Sequence, residues 1–410
     1  MRNALDLAWP LEGLTRVPYP IYSRDDVYAE ERARIFQGPV WNFLCLEAEV
    51  PQPGDYRATF VGDMPVIVAR DLDGRLAAFE NRCAHRGALL CFARGGHGRE
   101  ISCVYHNWTY DLRGKLTGVT FQRGVNRQGG MPADFERGNH NLRTLRVESF
   151  AGIVFGTFSD AVPPVETYLG PAIAERIRRV MRKPVKVLGY NSQMLPNNWK
   201  VYVENNKDSY HASLLHAFFT TFRVNRLSQE GGIIVDDGGG HHVSYSKRAS
   251  DKPSADYDAA DLRAKREDYR LADPSLLEGV DEFGDGITLQ ILTVFPTFVL
   301  QQIQNSLAVR QIVPRGVGET ELFWTYLGYV DDDAAMLTIR QKQSNLVGPG
   351  GYISMEDGAV GGFIQRALPG GEEGAAVVEM GGRGVGSQAT RATETAVRGF
   401  WQVYRRLMGL

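Results

Sequence analysis

The alternation of apolar and polar positions changes character along the chain. Near the start, Ser23 precedes acidic Asp25 and Asp26, and Gly38 stands beyond Phe36. This pattern predicts a helix over about 25–36 capped by Ser23. From about Trp41 to Phe158 helical periodicity is nearly absent. Short β-prone runs, 65–69, 104–110 and 153–158, alternate there with Gly, Asp and Asn turn signals. They predict a compact all-β domain of about 120 residues. After Pro163 the pattern is mixed: Ile173, Ile177, Val180 and Met181 sit at helical spacing, whereas 287–300, with a break expected at Pro296, and 306–313 read as strands. Val397, Phe400, Trp401, Tyr404 and Leu407 form one apolar stripe closed by Gly409, so a final helix packs through that face. This second region reads as α+β, with loops at the glycine-rich stretches 231–240 and 348–351.

With 410 residues, two or three domains are expected. Apolar residues are 43% and charged residues 23%, which excludes a disordered or fibrous chain. Lys plus Arg number 46 against 48 Asp plus Glu, so no cation excess exists to neutralise a phosphate backbone, and nucleic acid is not an expected partner. Apolar stretches such as 151–158 fall well short of the roughly 18 residues that span a bilayer. Asp6 and Pro10 interrupt the segment where a secretory signal would need continuous apolar residues. A cytoplasmic protein without membrane contact is expected. The four cysteines, at 45, 83, 91 and 103, are too few and too bunched for a disulfide scaffold; near histidines they read as metal ligands.

Cys83 and His85, then Cys103 and His106, give the spacing C-x-H-x17-C-x2-H. A structural zinc site uses the same ligand types but usually pairs like with like. Mixed pairs suit a two-iron, two-sulfide cluster in which one iron takes both thiolates and the other both imidazoles, because each loop then sends one ligand to each iron. Ligand order therefore favours this Rieske arrangement, a one-electron relay, over zinc. Cys45 and Cys91 read as small buried hydrophobes, and His97 as a loop residue.

A relay needs a recipient. His211 and His216 stand five apart, which on a straight helix separates them by about 140°; a wide turn or π-type distortion would bring both to one metal. Two histidines and one carboxylate form a facial triad for non-haem Fe(II), with positions left open for dioxygen. Glu356 and Asp357, after the 348–351 loop, are equally eligible as the acid; their alternative role is a solvated helix start. Asp208, three residues before His211, can orient that ring by a hydrogen bond, or else is a surface charge in the run 204–208.

Through Asn81-Arg82-Cys83-Ala84-His85-Arg86-Gly87, 103–108, 198–216 and 348–358, the chain resembles over nearly its whole length the large (α) subunits of Rieske non-haem iron aromatic-ring-hydroxylating dioxygenases. The resemblance implies an N-terminal helical segment over 1–40 packing on the catalytic domain, an all-β Rieske domain over 41–160, and an α+β catalytic domain over 161–410 with an antiparallel sheet and helices of the helix-grip type. It makes Cys83, His85, Cys103 and His106 the cluster ligands and His211, His216 and Asp357 the iron ligands. Asp357 is preferred to Glu356 as the second acid, before Gly358. Asp208 matches the aspartate that links an iron-ligand histidine to a cluster histidine of the neighbouring subunit, which implies a trimer of large subunits, alone or with small β subunits.

No G-x-G-x-x-G follows a strand, so a nicotinamide site is not expected. Electrons should come from a separate NADH-dependent, flavin-containing reductase and pass through His106 and Asp208 to His211. The implied reaction is cis-dihydroxylation of an aromatic dicarboxylate with dioxygen, terephthalate giving 1,2-dihydroxy-3,5-cyclohexadiene-1,4-dicarboxylate; the alternative is ring monohydroxylation of a benzoate-type acid such as salicylate. A buried dianion needs cationic partners, and arginine matches a carboxylate bidentately. Arg310, in the otherwise uncharged run 306–313, is the first candidate, set against an edge-strand arginine reaching water. Arg391 is the second, although arginine near a helix start is commonly solvated. His241 and His242 read as a hairpin tip or subunit contact.

Overall fold

The computed structural model describes residues 6–248, 255, 259, 260, 262–266 and 268–410; residues 1–5 of the expected 1–40 segment lie outside them. The chain forms two compact units, Phe36–Val165 and Met1–Ile35 with Glu166–Leu410.

The smaller unit is all-β. Its seven-stranded sheet runs in the order Asn42–Leu46, Ile153–Thr157, Thr144–Phe150, Leu76–Glu80, Met64–Arg70, Asp55–Val61, Gly95–His97, and a three-stranded sheet joins Glu100–Ser102, Thr109–Asp111 and Leu116–Gly118. The expected strand over 104–110 is mostly a loop. Cys103 N donates to Trp108 O and Asn107 N to Cys103 O, both at 2.9 Å, which closes a tight turn and leaves Val104 and Tyr105 exposed. The 83–88 loop closes the same way, Cys83 N to Ala88 O at 2.8 Å and Gly87 N to Cys83 O at 2.9 Å. Both turns need a left-handed residue four places after the cysteine, and Gly87 (φ 76°) and Asn107 (φ 53°) supply it.

In the larger unit a seven-stranded antiparallel sheet runs in the order Val185–Leu195, Thr320–Tyr329, Ser306–Pro314, Phe298–Ile303, Ile287–Val294, His242–Lys247, Gly231–Val235. The apolar run 287–300 divides at the cis Phe295–Pro296 bond. Glycine-rich 231–235 is an edge strand, not a loop: a Cβ on Gly231 would meet Tyr245 O at 2.2 Å, so glycine is what lets the strands approach. His241 and His242 are likewise not at a hairpin tip or on a surface. Both are buried, His241 within hydrogen-bond distance of Tyr168 O and Phe295 N, His242 of Thr293 Oγ1.

Helices Trp199–Lys207, Tyr352–Ala367 and Thr395–Met408 belong to this unit. The last buries Val397, Phe400, Trp401 and Tyr404 and ends at left-handed Gly409. Near the amino terminus the α-helix is Asp25–Glu31, continued by a π-helical turn Arg32–Phe36. Ser23 does not cap it: Ser23 closes the preceding turn Tyr19–Tyr22, Arg24 takes the cap position, and Asp26 Oδ1 accepts from Val27 N. Among the described residues no helix is long and apolar enough to cross a membrane.

Candidate functional site

Helix Trp199–Lys207 starts at Asn198, whose side chain accepts from Lys200 N, and ends at Asp208 in extended conformation. His211 precedes the one-turn helix Ala212–Leu215, and His216 (φ −81°, ψ 96°) separates it from Ala217–Thr221. The expected wide turn is thus a break between two short helices, and it places the imidazoles 5.4 Å apart.

Asp357, in helix Tyr352–Ala367, faces them. Its Oδ1 is 3.4 Å from His211 Nε2 and 3.3 Å from His216 Nε2, and the three ligand atoms lie within 4.8 Å of one another. Glu356, one residue away and so turned by about 100° on the helix, lies on the other side, 2.7 Å from His216 Nδ1. Asp208 Oδ2 stands 3.1 Å from His211 Nδ1, and Asn205 Nδ2 donates to Asp357 Oδ1 at 3.0 Å. Each ring therefore gives Nδ1 to a carboxylate and turns Nε2 inward, the arrangement that fixes a metal-binding tautomer. Burial would raise the Asp357 carboxyl, yet His216 and His211 hold it down to about 2. Burial would likewise lower His211, but Asp208 and Asp357 hold it up to about 10. Negative charge gathered around two inward imidazole nitrogens fits a divalent cation, and this donor set suits Fe(II).

In the smaller unit Cys83 and Cys103 are buried side by side, His85 is half-buried and His106 exposed, with the two imidazoles 4.6 Å apart. Thiols lie inside and imidazoles outside. That polarity fits a cluster with two irons better than one tetrahedral zinc. Tyr110 accepts from Ala84 N at 3.0 Å and sets its hydroxyl 3.3 Å from Cys83 Sγ; Trp108 stacks on His85 at 4.7 Å. Cys45 and Cys91 are buried, and exposed His97 lies 3.0 Å from Asp55.

A cavity in the larger unit is lined by His211, His216 and Asp357 on one side and by the sheet residues Leu289, Ile291 and Trp324 on the other. Arg310 and Arg391 also line it. Arg310 lies on an interior strand, not an edge. It is buried, its Nη1 donates to Tyr202 Oη at 2.7 Å, and no carboxylate pairs with it among the described residues. Arg391 is buried too, not solvated: its guanidinium donates to Asn225 Oδ1 and the Arg226 carbonyl, which draws it inward from the loop before the final helix. Tyr110, Asn205 and Glu356's grip on His216 have no signature in residue spacing, because each acts across a distant contact.

Two family models match this chain: the Rieske [2Fe-2S] domain over residues 40–128 and the ring hydroxylating alpha subunit (catalytic domain) over 174–410. The chain belongs to the ring-hydroxylating dioxygenase alpha subunits, enzymes that carry a Rieske cluster and a mononuclear non-haem iron. It is 58% identical to the terephthalate 1,2-dioxygenase terminal oxygenase subunit alpha 2 of a Comamonas species, with 96% of each chain covered. It is 44% identical to the anthranilate 1,2-dioxygenase large subunit of Burkholderia cepacia (99% and 96% covered) and 38% identical to the salicylate 5-hydroxylase large oxygenase component of a Ralstonia species (98% and 97%). Naphthalene 1,2-dioxygenase from Rhodococcus has the same fold, with a TM-score of 0.78 at 22% identity over 96% of this chain and 94% of that one.

Proposed function

We propose that this chain is the oxygenase component that cis-dihydroxylates terephthalate, and the observation that carries the reading is the pair of buried arginines in one cavity. Arg310 lies on the strand Ser306–Pro314, while Arg391 Nε is 3.2 Å from where a Cβ on Gly231 would sit, on the far edge strand. Four strand spacings separate those strands, about 19 Å. Two long side chains reaching inward from such positions leave space for one ring with anions at opposite ends. A para-dicarboxylate sets one anion beside each guanidinium, whereas a monoacid reaches only one of them.

When bound, the two iron groups supply electrons and activate dioxygen against the ring. The residues assigned to hold them are Cys83, His85, Cys103 and His106 for the cluster, and His211, His216 and Asp357 for Fe(II). Asp208 and Glu356 accept from the Nδ1 protons and keep Nε2 directed at the metal. Arg310 and Arg391 hold the substrate carboxylates, so that the ring carbons lie beside the Fe(II) position, and Phe219, Leu289 and Ile291 keep bulk water from it. Asp208 links centres of neighbouring chains in a ring of three, a small β subunit completes the assembly, and a separate NADH-dependent reductase delivers electrons.

The test is product analysis with purified oxygenase, reductase, NADH and dioxygen, offered terephthalate, isophthalate, phthalate, benzoate and salicylate. The terephthalate cis-diol is expected as the main product. Ring hydroxylation of salicylate with no diol from terephthalate would replace this reading with the monohydroxylase one.

A further inference from the structure

Gln301 is buried on the strand Phe298–Ile303 and lines the cavity, yet its enclosed Nε2 has no hydrogen-bond partner among the described residues. An orphaned donor in an interior is costly and calls for a missing acceptor. The register shows where that acceptor belongs. Gln301 pairs with Ala308, so Arg310, two residues further along the neighbouring strand, is its diagonal neighbour on the same face, and long side chains in that relation reach a common point. Arg310 spends Nη1 on Tyr202, and its buried Nε has no partner. Open donors from two adjacent strands therefore converge on one part of the cavity, and the group that answers them is an acceptor with several lone pairs and negative charge.

We infer that Gln301 is a specificity-determining residue that donates a hydrogen bond to the substrate carboxylate held by Arg310. This rests on the reading of the substrate as an aromatic dicarboxylate. Arg310 supplies charge and a fork; the Gln301 amide supplies a further N–H and fixes the plane of the carboxylate, and through it the roll of the ring.

The test measures terephthalate binding by anaerobic titration calorimetry on the full chain with both metal centres loaded, in wild type, Gln301→Met and Gln301→Glu. Methionine keeps the length and removes the donor; its Kd should rise about tenfold, as expected for losing one hydrogen bond to a charged group. Glutamate keeps the shape and sets an anion against the substrate anion. It should weaken terephthalate further and turn the preference toward 4-carbamoylbenzoate, whose neutral amide can donate to the new carboxylate. That inversion separates a direct contact from loss of packing. A Met variant within twofold of wild type, or a Glu variant still preferring terephthalate, overturns the role of Gln301 while the dicarboxylate reading stands. Wild type failing to bind terephthalate overturns both.

Discussion

On the proposed assignment of Cys83 as a cluster ligand, the Tyr110 hydroxyl tunes a centre it does not ligate. The Tyr110 oxygen accepts from Ala84 N and lies 3.3 Å from Cys83 Sγ; a cluster-bound Cys83 is a thiolate with no proton to give, so there the hydroxyl donates to it. A thiolate bearing more negative charge accepts that bond more strongly, so the bond favours the reduced cluster. Tyr110→Phe should lower the reduction potential by about 60 mV, the one-electron equivalent of about 1.4 kcal/mol. A redox titration followed by the cluster absorption measures it, and an unchanged potential would separate Tyr110 from the cluster. At the other centre, Arg310→Leu should weaken terephthalate about 100-fold, because the carboxylate would then be buried without its cation; equilibrium binding reads this directly. The Cys and His pairs are legible in the sequence because each loop is local and its spacing is chemistry. The residues that steady them are not: Tyr110 meets Cys83 across 27 positions, Glu356 meets His216 across 140, and Asn205 meets Asp357 across 152.

Elements show the same division between local and distant causes. The final helix follows from its apolar stripe, and the strands 64–70 and 153–157 from the β-prone runs 65–69 and 153–158 between turn signals, since each buries the stripe or run that the sequence displays. The run 104–110 misleads because its apolar Val104 and Tyr105 decorate a loop, and 231–235 misleads because glycine serves close strand approach there. Helix Asp25–Glu31 hides its reason for docking. Glu31, wholly buried, is 2.6 Å from Lys200 Nζ and also accepts from Trp199 Nε1 and the Tyr404 hydroxyl. Burial pushes the Lys200 ammonium below its ordinary range, with Glu31 opposing the shift. Lys200→Met leaves Glu31 without its cation and should destabilise the larger unit by about 3–5 kcal/mol. The double variant Glu31→Gln/Lys200→Met removes both charges and should recover most of that loss. Denaturation of the two variants side by side decides the point; equal loss in both would show that packing, not charge, fixes the helix.

For the whole molecule, the question is whether one chain suffices. If Asp208 links the Fe(II) centre of one chain to the cluster of the next, two differently disabled chains can complement each other. On the proposed ligand assignment, Cys103→Ser removes a thiolate of the cluster and leaves the mononuclear site intact; His216→Ala does the reverse. Each alone should be inactive. Co-expressed in equal amounts and assorted at random in rings of three, a chain with an intact iron site follows a neighbour with an intact cluster at about a quarter of positions, so turnover should recover to about a quarter of wild type. Asp208→Asn introduced into the His216-intact chain should remove that recovery while both metals stay bound, because the amide cannot accept the His211 proton with the strength of a carboxylate. Electron transfer confined within a chain predicts no recovery in any mixture. Steady-state rates on the co-purified oligomers, normalised to metal content, therefore test the inter-chain route separately from either centre's chemistry.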